Sequence, residues 1–65
     1  MTNIEKLHAA VECERQFARD YLRCFREGRY ARQPEKLHLI RLRLHARRIA
    51  AALGALYRAH AQEAA

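Results

Sequence analysis

Seven residues spaced alternately by three and four, Leu39, Leu42, Ala46, Ile49, Leu53, Leu56 and His60, constrain this chain more than anything else in it. An α-helix returns to the same side every 3.6 residues, so such a row is one seam sustained over three heptads. Residues 37–44 tempt toward a strand, because Leu37 and Leu39, then Leu42 and Leu44, alternate with polar positions. That alternation slips at Leu39-Ile40, whereas the helical seam continues through Leu56, and the spacing predicts a helix over about 34–62. A second apolar stripe, Leu37, Ile40 and Leu44, lies off the seam with Arg41, Arg43, Arg47 and Arg48 around it. One seam can be hidden by another segment of the chain. The second stripe needs a further partner, and these seven residues are the candidate partner-binding site.

The preceding segment supplies the first of those coverings. Thr2 with Glu5 three residues on has the spacing of a capping box, so a helix is predicted over about 3–28. Ile4, Leu7, Ala10, Val11, Phe17, Ala18, Tyr21 and Phe25 recur on one broad face, and Glu12, Gln16, Arg19, Arg23 and Arg26 on the other. Exposed charge pairs of that second kind contribute little to stability. Gly28 suits a helix C-cap, and Pro34 the first turn of the next helix, with Glu35 favourable beside its N-terminus. The turn between, about 29–33, has the length that joins antiparallel neighbours, and Tyr30 is expected to fold over the end of the hairpin. Further on, Ala50, Ala51, Ala52, Gly54 and Ala55 narrow the second helix. Gly inside a helix costs about 1 kcal/mol relative to Ala, so close packing by another helix is expected at Gly54.

The architecture that follows is a single all-α domain over 1–65, an antiparallel two-helix hairpin. A chain of 65 residues buries too little apolar surface to be comfortably stable alone. Dimerisation into a four-helix bundle, or a partner protein, is expected to complete it.

Glu14 falls near the middle of the first helix's apolar face, where an unpaired carboxylate is costly. In an antiparallel hairpin it comes level with Arg47 or Arg48, and a buried interhelical ion pair is expected; a contact with a partner protein is the alternative. Cys13 and Cys24 are eleven residues apart, roughly 16 Å along one helix, beyond disulfide reach, and read as reduced, half-buried small hydrophobes. The four histidines, His8, His38, His45 and His60, lack the i, i+3 or i, i+4 spacing of a helical metal site. No metal and no cofactor are expected. Nor is a reaction: there is no Ser/His/Asp arrangement and no Gly-rich phosphate loop.

Charge narrows the partner. Residues 1–28 hold five basic and five acidic side chains, and residues 29–65 hold eight basic against Glu35 and Glu63, so the whole net charge of +6 lies in the second half. Such asymmetry suits an acidic partner. The leading expectation is a non-enzymatic protein-interaction module, a small adaptor, co-chaperone or regulator, that associates with itself or with a protein bearing an acidic and apolar face. The alternative is a small basic nucleic-acid-binding protein using Arg41, Arg43, Arg47 and Arg48 on phosphates. Against it, those arginines are interleaved with leucines, and no helix-turn-helix or zinc pattern accompanies them. A basic amphipathic surface on anionic membranes ranks third. With no apolar run of ~20 residues and an acid-bearing N-terminal stretch, neither a membrane span nor a signal peptide is read, and a cytoplasmic location is the default.

The chain also resembles the small helical-hairpin co-chaperones of type III secretion needle subunits. The likeness covers most of its length: a short Met1-Thr2 start, a charged first helix, Gly28, then Pro34-Glu35 opening an Ala-rich second helix that ends near Leu56-Tyr57. The longer connection and the strongly basic second helix depart from that pattern. The resemblance implies a protein that, together with a larger helical-repeat chaperone, holds an aggregation-prone secretion subunit. It carries no individual functional residue across.

Overall fold

The computed structural model describes residues 2–64, so Met1 and Ala65 of the 1–65 domain lie outside the described residues. Two helices, α1 (Asn3–Arg26) and α2 (Glu35–Ala64), are joined by residues 27–34. They run antiparallel: the Phe25 ring stacks on His38 at the closed end, and the His8 ring meets His60 edge-on at the open end.

Local chemistry sets each boundary. Thr2 is the N-cap of α1; its Oγ1 accepts the Glu5 N–H at 3.2 Å and its carbonyl accepts the Lys6 N–H at 3.0 Å. At the other end Gly28 adopts φ +80, a left-handed conformation open to a residue without Cβ. Its N–H bonds to the Phe25 carbonyl and the Arg29 N–H to the Cys24 carbonyl, the two bonds of a Schellman motif. This reversal ends α1 at Arg26, short of the expected 28. In the connection the Ala31 N–H bonds to Gly28 O and the Gln33 N–H to Tyr30 O. Pro34 stands just before α2 rather than in its first turn, its carbonyl accepting from Leu37 and His38 N–H. At the far end α2 runs to Ala64 rather than 62, through Ala61, Gln62 and Glu63, which contain no helix breaker.

The seam of α2 sits one position away from the expected one. The residues turned toward α1 are His38, Leu42, His45, Ile49, Ala52, Leu56 and Ala59, all buried or half-buried. Leu42, Ile49 and Leu56 belong to both rows, but Leu39 and Leu53 of the expected seam are 47% and 40% exposed, and Ala46 is exposed too. The reason lies on α1, whose Tyr21 and Phe25 rings take the two histidines as stacking partners and so rotate α2 toward them. Gly54 also departs from expectation. A Cβ built there meets only the Arg58 guanidinium of its own helix, at 3.3 Å, so α1 makes no close approach to it.

The result is a thin slab, 50 × 21 × 10 Å in its Cα extents, one helix thick. Among the described residues only Val11, Tyr21 and Leu56 form a buried core. The radius of gyration is 15.0 Å, against ~11 Å for a compact chain of this length.

Candidate interaction surface

The best-organised part of the molecule is the closed end, and Tyr21 is its hub. The side chain is 7% exposed. Its ring lies within 5.3–5.6 Å, centroid to centroid, of Tyr30, His38 and His45. Gln33 Nε2 donates to the Tyr21 hydroxyl at 2.8 Å, and the hydroxyl lies 2.7 Å from His38 Nδ1. Tyr30 folds over the end of the hairpin and is half-buried.

This arrangement divides the four arginines. Arg41 is half-buried, its guanidinium carbon 5.2 Å from the centre of the Tyr30 ring and 5.8 Å from that of Tyr21. Arg48 reaches across the hairpin to Glu14, Nε to Oε2 3.4 Å, with the Glu14 side chain 23% exposed. That contact is an ion pair without a hydrogen bond, since Oε2 accepts none. Arg43 and Arg47 face away from α1 and line a shallow concavity with Ile40 and Leu44. Leu37, the remaining member of the stripe, is 37% exposed.

A second, broader trough runs along one flat side, lined by Phe17, Cys24, Tyr30, Arg41, Leu44 and Arg48 among others. Phe17, which the sequence placed on the α1 seam, opens onto it at 48% exposure, while its neighbour Tyr21 is turned inside. Cys24 is half-buried there, whereas Cys13 is exposed rather than half-buried.

Electrostatically the two helices differ. On α1 and at its C-terminal end, Glu12 pairs with Arg15 and Arg19, Asp20 with Arg23, and Glu27 of the connection with Arg23 and Arg29. Lys36, Arg43, Arg47 and Arg58 of α2 have no carboxylate within 4.0 Å among the described residues. No group of three or more His, Cys, Asp or Glu among the described residues is arranged to hold a metal ion. Among the described residues no helix is long and apolar enough to cross a membrane.

The aromatic and histidine cluster was the part of the site that leucine periodicity concealed. One signal for it was present: His38 and His45 are seven apart, hence on one side of α2, at the height where α1 carries Tyr21 and Phe25. Comparison with protein-family models, curated proteins and solved structures returns no match.

Proposed function

We propose that this protein is a non-enzymatic interaction module, a helical hairpin completed by further helices. The observation that carries the reading is the apolar surface left uncovered. Among the described residues nine large apolar side chains are exposed, including Phe17, Leu39, Ile40, Leu44 and Leu53, against three in the core. The accessible surface is 5292 Å², about 1,000 Å² above the ~4,300 Å² of a compact monomer of this mass. An excess of that size is comparable to one side of a standard protein interface, ~800 Å².

On this reading a second copy packs its flat side against the first to form a four-helix bundle, or a partner protein takes the same place. A second copy meets the trough that Phe17 and Leu44 line on the flat side, and the stripe Leu37, Ile40 and Leu44 with its arginines is the region offered to a partner protein. The co-chaperone role implied by the resemblance is one specific form of it, with the hairpin sharing an aggregation-prone secretion subunit with a helical-repeat chaperone. The nucleic-acid reading has less to stand on, because two of its four arginines, Arg41 and Arg48, have intramolecular partners.

Light scattering with a full ultraviolet spectrum across the eluting peak tests this. A dimer or tetramer without excess absorbance at 260 nm is the expected result; with no Trp and three Tyr, bound nucleic acid dominates the spectrum at once. Leu44→Asp is expected to reduce the mass toward the monomer while leaving the helices formed. A well-folded monomer at high micromolar concentration that binds no protein overturns the reading.

A further inference from the structure

We infer that the outer edge of α2, built from Ile40, Arg43, Leu44 and Arg47, docks an acidic amphipathic helix of a partner protein. The inference rests on the interaction-module reading and names the partner's chemistry at one surface of it. At about 100° per residue, positions 36, 43, 47 and 58 share the side of α2 that points away from α1. Ile40 and Leu44 adjoin that row and are each 50% exposed. The four side chains of the patch enclose one shallow concavity. Ile40 and Leu44 are one helical turn apart, and so are Arg43 and Arg47, about 6 Å of axial rise in each case. The patch is therefore an apolar pair beside a cationic pair.

Three occupants compete for it. A second copy brings the same cations and the same net +6; four of its seven acids, Glu12, Glu14, Asp20 and Glu27, already hold arginines of their own chain, and the other three, Glu5, Glu35 and Glu63, are too few to offset that charge. Like charges then meet across the contact. A phosphate backbone neutralises Arg43 and Arg47 but leaves Ile40 and Leu44 in water. A helix with an apolar row and an acidic row beside it satisfies both pairs at the spacing they have, as flanking Glu and Arg do in a coiled coil. Charge and apolar surface together select the third.

The probe is a synthetic peptide of about three heptads with Leu at the core positions and Glu at the flanking ones, which repels its own copies and stays single. Calorimetric titration into the intact protein is expected to give a dissociation constant on the order of 10 μM. Arg43→Glu with Arg47→Glu is expected to weaken it at least about tenfold, and the same peptide with Lys for Glu to bind that variant. Both arginines are exposed and stand on the side of α2 away from α1, so circular dichroism of the variant is expected to match the parent. Should it not, Arg43→Gln with Arg47→Gln replaces it, with the same loss expected. Equal binding of a peptide with Gln for Glu overturns the acidic-helix inference but leaves the interaction module standing. Tighter, arginine-dependent binding of a ~20-nucleotide single strand or of anionic phospholipid vesicles overturns the inference, and a well-folded monomer that binds neither the peptide nor any other protein overturns both. No binding of the acidic peptide at ~100 μM also overturns the inference.

Discussion

Two side chains show how little redundancy a slab one helix thick possesses. Tyr21 contributes both a ring and a hydroxyl to the closed end, and the two can be separated. Tyr21→Phe keeps the stacking and removes the link between Gln33 and His38, so a loss of about 1 kcal/mol is expected in urea denaturation. Tyr21→Ala also removes the ring that His38, His45 and Tyr30 pack on, and about 3 kcal/mol or more is expected. Equal losses for the two would mean that the ring contributes nothing to the packing. Glu14 presents the opposite case. Its carboxylate is half-buried and, among the described residues, held by Arg48 alone at 3.4 Å, with Oε2 accepting no hydrogen bond. Replacing a poorly satisfied pair by apolar atoms tends to be neutral, while removing one partner strands the other. Thermal unfolding is therefore expected to show Glu14→Leu within about 0.5 kcal/mol of the parent and Arg48→Leu about 1 kcal/mol less stable. The reverse order would show that the carboxylate, not its neutralisation, holds the hairpin together at that level.

At the scale of the helices, the two glycines are expected to respond in opposite directions to the same change. Gly28 sits at φ +80 in the bonds that end α1, so Gly28→Ala is expected to cost about 1 kcal/mol although nothing lies within 4 Å of the added methyl. Gly54 lies inside α2 with only the flexible Arg58 guanidinium near, so Gly54→Ala is expected to add about 0.5–1 kcal/mol in the same thermal scans. A loss at Gly54 would mark it as a contact with another helix outside this chain. The existence of both helices and where each begins, to within a residue, were legible because they depend on local terms: the Thr2 cap, Pro34 and the 3.6-residue period. Both C-terminal ends fell two residues from the expected ones, α1 short and α2 long. The seam was not legible. Two rows on α2 offer apolar residues at helical spacing, one through Leu39 and Leu53 and the other through His38, His45 and Ala52, sharing Leu42, Ile49 and Leu56. Ranking by hydrophobicity selects the first. The second wins because stacking and a hydrogen bond to Tyr21 are pair terms with another helix, and no single-position scale contains them. The pairing of Glu14 was legible only to within one residue, since Arg47 and Arg48 stand at the same height and the rotation of α2 decides between them.

For the whole molecule the governing conflict is between apolar surface that favours association and a net charge of +6 that opposes it between like copies. All of that excess is on the second half of the chain, and the cations on the outer edge of α2 have no carboxylate within 4.0 Å among the described residues. Screening separates the two forces. The Debye length falls from ~10 Å at 0.1 M salt to ~3 Å at 1 M, while apolar contacts are not weakened by the same ions. If a second copy completes the bundle through its flat side, raising salt over that range removes repulsion, and sedimentation equilibrium is expected to show a severalfold tighter dimer. Association with an acidic helix, or with phosphates, moves the other way, because salt screens the attraction that draws them in. One titration of salt thus assigns the force behind whatever association is observed. Self-association that weakens as salt rises would mean that copies are held by ion pairs. That would require either the pairs of Glu12, Glu14, Asp20 and Glu27 to exchange partners or Glu5, Glu35 and Glu63, which hold no arginine among the described residues, to reach the other copy's cations. The apolar faces would then be bystanders, and the completed-hairpin reading would fall with them.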